Sequence, residues 1–63
     1  MNQPLTLTLE ASEVDVQALA QFVKRVGWQE IRANAVDDDE AQLIRAGVEA
    51  LQRALSDAGY APR

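Results

Sequence analysis

Leu5-Thr6-Leu7-Thr8-Leu9 alternates leucine with a β-branched polar residue at a strict period of two. Successive side chains of an extended chain point to opposite faces. Leu5, Leu7 and Leu9 therefore share one side, and Thr6 and Thr8 the other. The pattern predicts a β-strand, and no other segment of the 63 residues repeats it convincingly. A strand in a core cannot leave its backbone N–H and C=O groups unpaired, and a single strand is an open template for pairing. The stretch thus predicts an α+β fold in which residues 5–9 pair with the same residues of a second chain. Two-fold symmetry makes such a patch self-complementary, and the leucine face would then roof a helical core shared by a homodimer.

The remainder reads as helix. Pro4 is tolerated at a strand start. Ser12 and Asp15 stand at capping-box spacing. Val16, Leu19, Val23 and Val26 follow on one helical face, with Phe22 beside them. Lys24 and Arg25 suit the negative C-terminal end of a helix, and Gly27 is a stop signal, so the first helix is expected over Ser12–Val26. A rival reading takes Glu13 to Val16 as the second strand of a hairpin. Glu10-Ala11-Ser12, however, offers no glycine or asparagine for a tight turn. Trp28, Ile31 and Ala35 form one stripe of a short second helix or helical turn. Asp37 and Glu40 again have cap and third-position spacing, opening a long helix from about Asp38 to Asp57. Ile44, Val48, Leu51 and Leu55 make its large apolar stripe. Leu43, Gly47, Ala50 and Ala54 make a smaller one. Gly59 ends this helix, and Tyr60 is expected to fold back on the core. The sequence contains no internal repeat, so residues 1–63 are expected to form one domain of a strand and two or three helices.

Composition limits the function classes. A domain of about 60 residues buries only about 60% of its unfolded surface and is marginal alone. The usual reinforcements are disulfides, a metal or oligomerisation. The chain has no cysteine and no histidine, which removes the disulfide and leaves poor metal ligands. No cofactor is expected. Without histidine or cysteine, no Ser–His or Cys–His pair is available, and no phosphate loop or dinucleotide fingerprint occurs. A non-enzymatic role follows as the expectation. The net charge of −4 disfavours general nucleic-acid binding, which rests on phosphate neutralisation, and suits a basic partner. No apolar run approaches the ~18 residues of a membrane span. Met1-Asn2-Gln3-Pro4 has no signal-peptide character. A cytoplasmic location is the default reading.

Two features could carry a partner surface. The run Asp37-Asp38-Asp39-Glu40 could mimic phosphates or hold a metal. The capping spacing and the helix dipole explain it more simply, and the calcium-loop pattern is missing. Trp28 could anchor a partner, or it could close the core of a domain with only three aromatics, Phe22, Trp28 and Tyr60. Lys24, Arg25 and Arg32 could form a small basic patch, with helix-end complementation as the plainer account. Arg45, Glu49 and Arg53 are spaced as an ion-pair ladder. Asn34 could be buried, capping or solvated.

Gln21-Phe22-Val23-Lys24-Arg25-Val26-Gly27-Trp28, Arg32-Ala33-Asn34-Ala35-Val36-Asp37 and Ala58-Gly59-Tyr60-Ala61-Pro62-Arg63 together resemble a family of short uncharacterised proteobacterial proteins. That resemblance implies a bacterial, phage or mobile-element origin and no active site. Leu5 to Gly27 more distantly resembles the opening of ribbon-helix-helix proteins, in which two chains pair their strands and insert them into a DNA groove. Here the outward face would be Thr6 and Thr8, and no Lys or Arg precedes Lys24. Trp28 to Asp37 is also longer than that family's inter-helix turn, so the likeness is architectural. The expected function is a small acidic protein-interaction module, a regulator or inhibitor of a basic, nucleic-acid-binding protein. The alternative is a ribbon-helix-helix-like DNA-binding regulator.

Overall fold

A computed structural model of the chain describes residues 3–60. The ends of the expected leader and tail, residues 1–2 and 61–63, lie outside them. Three helices follow one another: α1 (Glu13–Arg25), α2 (Trp28–Ala33) and α3 (Asp38–Asp57). Among the described residues there is no strand, so the fold is all-α and the α+β expectation is corrected. Residues 3–12 run without regular secondary structure, and every residue from Gln3 to Asp15 is exposed. Leu5 is 80% exposed, Leu7 83% and Leu9 59%. A ladder needs a second backbone within hydrogen-bonding reach. The alternation of residues 5–9 meets none, and the leucine face roofs nothing.

Local chemistry sets the helix bounds. The backbone N–H of Asp15 donates to Ser12 Oγ at 3.1 Å, which caps α1. Val26 closes it, donating to Phe22 O at 2.9 Å with an extended backbone beyond. α1 therefore stops just before Gly27, as expected. Gly27 has φ −111°, stands as the N-cap of α2, and its N–H donates to Glu30 Oε1 at 2.7 Å. Asn34 Nδ2 donates to Glu30 O at 2.8 Å and so occupies a carbonyl at the end of α2. Asp37 Oδ1 accepts from the Glu40 N–H at 2.8 Å, while Glu40 Oε1 accepts from the Val36 N–H at 2.9 Å. One orphan donor in the first turn of α3 and the N–H just ahead of its cap are thus satisfied together.

α3 ends in a Schellman turn. Gly59 has φ 94°, its N–H reaches Ser56 O at 3.0 Å, and the Tyr60 N–H reaches Leu55 O at 2.8 Å. That reversal brings Tyr60 back against the cluster around Leu55, the contact that commonly accompanies the motif.

α3 is the spine. α1 packs on its C-terminal half, where Ala20, Val23 and Leu55 are buried and Val16, Leu19, Val48, Leu51 and Tyr60 close around them. α2 packs against α3 as well, and Ile31 and Ala41 are buried. Gln52 Nε2 donates to Val23 O at 2.6 Å across 29 residues. This side chain satisfies a carbonyl in the last turn of α1 that the helix itself cannot.

Candidate interaction surfaces

The exposed apolar groups outnumber the buried ones. Among the described residues the core side chains are Ala20, Val23, Ile31, Ala41 and Leu55. Leu5, Leu7, Leu9, Val14, Phe22, Trp28, Val36 and Leu43 are all exposed. Solitary surface hydrophobes are normal. Here three of them succeed one another on a segment that rests on no helix. Val14, Ala18 and Phe22 repeat at i, i+4 and i+8 along α1, and all three are exposed. Of the helical face expected for the core, Val23 is buried and Val16 and Leu19 pack beside it; Ala20 joins them, and Phe22 is 61% exposed.

An open groove of about 480 Å³ runs between α1 and the turn after α3. Val14, Ala18 and Ala20 form its α1 wall with Gln17 and Gln21, and Gly59 and Tyr60 form the other side. None of these seven residues is charged, in a chain where a quarter are. A second hollow of about 590 Å³, beside Lys24, Glu49, Gln52, Arg53 and Ser56, is more open and carries charged residues.

Local structure absorbs most of the acidic run. Asp37 caps α3, Glu40 accepts from Val36, and Asp38 Oδ1 takes the Arg32 Nε–H at 2.6 Å. The Arg32 guanidinium also donates to Ala35 O at 3.2 Å, tying the end of α2 to the start of α3. Asp39 is exposed and makes no hydrogen bond or ion pair among the described residues. Among the described residues no group of three acidic side chains converges to hold a metal ion. Trp28 opens α2 and is 40% exposed, so it does not close the core. Arg45 and Glu49 approach to 3.6 Å, the first rung of the expected ladder. Two elements gave no local signal in the sequence. Gln52 acts across the fold, and the groove exists only because the Gly59 turn sets Tyr60 beside α1.

A protein-family model described as a family of unknown function (DUF7706) matches residues 1–63. The chain belongs to the DUF7706 family. The match spans the N-terminal segment as well as the three helices. No curated protein and no solved structure matches the chain significantly. Among the described residues no helix is long and apolar enough to cross a membrane.

Proposed function

We propose that this DUF7706 chain is a non-enzymatic interaction module that acts by covering its exposed surfaces with protein partners. The observation that carries this reading is the imbalance between five buried apolar side chains, two of them alanine, and eight exposed Val, Leu, Phe and Trp side chains among the described residues. The net charge of −4, with three exposed aspartates at the start of α3, favours a basic protein as the partner of the helical body. A regulator or inhibitor that occupies a nucleic-acid-binding surface is the role consistent with that charge. Ribbon-helix-helix-like DNA binding draws no support, since its reading head is a strand pair.

The test is affinity capture by the tagged full chain from nuclease-treated bacterial lysate at low and high salt. Proteins are identified by mass spectrometry, with Asp39→Lys as comparison. Capture of one defined basic protein, lost at high salt and weakened by Asp39→Lys, supports the reading. Recovery of the chain alone, or of duplex DNA in untreated lysate, overturns it.

A further inference from the structure

We infer that α1 is the self-association helix of this protein: two copies pair their α1 helices antiparallel, about a two-fold axis at Ala18, through Val14, Ala18 and Phe22. Symmetry is the first argument. Val14 and Phe22 stand four residues either side of Ala18, and all three are exposed. A two-fold at Ala18 lays the Val14 of each copy against the Phe22 of the other and sets the two alanines face to face. Alanine at that point allows an approach near the short end of the roughly 8–10 Å interaxial range. Phe22, 61% exposed, is the kind of large side chain that anchors such contacts.

Charge selects both the occupant and its orientation. α1 carries acids only in its first turn, Glu13 and Asp15, and bases only in its last, Lys24 and Arg25. Residues 16–23 between them hold no charge. An antiparallel copy therefore meets this helix acid to base at both ends, with an uncharged middle and opposed dipoles. A parallel copy would set like charges together at both ends. Glu13, Asp15 and Arg25 are exposed, and their side chains make no ion pair or hydrogen bond among the described residues. The helix dipole accounts for the sign of each end, but not for the uncharged exposed face with Phe22 between them.

α3 supplies the contrast. It too leaves a large apolar side chain outside, Leu43 at 68% exposure. Its first turn holds Asp38, Asp39 and Glu40, however, while its last turn has no base and ends in Asp57. An antiparallel pair of α3 helices would bring acid to acid at both ends. Of the two long helices, α1 is the one whose ends complement a copy of itself.

Sedimentation equilibrium of the full chain over a range of concentrations, at low and high salt, tests this, with circular dichroism as the check on folding. Wild type is expected to dimerise, and less tightly at high salt. Phe22→Ala changes an exposed position to the best helix former. It is expected to keep its helicity and to weaken the dimer by about tenfold or more. Arg25→Glu, and the double change Glu13→Lys with Asp15→Lys, each set like charges together and are expected to weaken it likewise. An equal mixture of these two should associate more tightly than either alone, because the acidic first turn of one then faces the basic last turn of the other. The chain has no cysteine, so Ala18→Cys reports position. On oxidation it is expected to form a disulfide-linked dimer, which requires the two Cα atoms within about 7 Å, whereas Asp39→Cys is not. Where the double change loses helicity, Arg25→Glu and the cross-link carry the test. A wild type that is monomeric throughout overturns the inference. So does a dimer indifferent to Phe22→Ala, a mixture of folded variants no tighter than its components, or an Ala18→Cys chain that stays uncross-linked. The inference goes beyond the partner reading above and does not rest on it. Losing the dimer leaves capture of a basic protein to succeed or fail by itself.

Discussion

One chemical change, Gly→Ala, is expected to act with opposite sign at two positions twelve residues apart. Gly47 lies in the interior of α3, and a Cβ added there meets no atom within 4 Å. Alanine at this position gains helix propensity and costs no packing, so it stabilises by about 1 kcal/mol. Gly59 is equally open, yet its φ is 94°. Forcing an L side chain into that left-handed region costs about 1–2 kcal/mol. The reduced freedom of the unfolded chain returns about 0.4–1 kcal/mol of that. The net for Gly59→Ala is a loss of about 1 kcal/mol, together with weakening of the 2.8 Å bond from Tyr60 to Leu55. In a domain this size each kcal/mol moves Tm by about 4–8 °C. Thermal melts followed by far-UV circular dichroism, at one fixed protein concentration, should show Gly47→Ala above wild type and Gly59→Ala below it. Shifts of the same sign refute the reasoning. A lower Tm for Gly47→Ala would mean that something lies against the helix where the structure leaves open space.

Three further outcomes are expected. Ser12→Ala removes the acceptor of the Asp15 N–H and should cost about 1 kcal/mol in urea titrations; a change near zero would show that the cap contributes nothing. Gln52→Ala leaves the Val23 carbonyl without its 2.6 Å donor and should cost about 1 kcal/mol. Gln52→Glu, which keeps the shape but cannot donate when ionised, should cost at least as much. Leu55→Ala opens the α1–α3 cluster at a side chain only 5% exposed and should cost about 2–5 kcal/mol. A chain of this length holds only about 3–9 kcal/mol in total, so the variant should be largely unfolded at moderate temperature. A cooperative melt close to wild type would contradict the assigned core.

The helices were legible because their signals are local. Ser12 with Asp15 and Asp37 with Glu40 announce two starts through a spacing of three, and the period of 3.6 carries α3 to Asp57. Gly59 announced its end for the same reason. The strand was misread because a period of two reports an extended backbone and says nothing about whether a second backbone lies beside it. Residues 5–9 have no regular secondary structure and no ladder. Gly27 marked where α1 stops, but Val26 closes that helix with ordinary negative φ, and the glycine also serves as the N-cap of α2. Phe22 and Trp28 were weighed by size, whereas the α1–α3 contact is close enough that Ala20 occupies the centre and the aromatics stay outside. Gln52 and the neutral groove join residues far apart in sequence, and no local pattern encodes them.

The helical spine carries its two contacts at different ends, and that division bears on how the molecule opens. The cluster of Ala20, Val23 and Leu55 belongs to α1 and the C-terminal half of α3. Ile31, Ala41 and the Arg32–Asp38 pair belong to the corner of α2 and α3. The corner closes over a short stretch of chain, whereas docking α1 must gather residues about thirty apart, as the Gln52–Val23 bond shows. Native-state hydrogen exchange should therefore resolve two cooperative units. Amides of α1 should exchange through detachment from a spine that stays wound at its N-terminal end, and a single shared opening free energy for α1 and α2 would contradict this. Release of α1 would dismantle one wall of the neutral groove while leaving the acidic start of α3 in place, so the two surfaces could be lost separately.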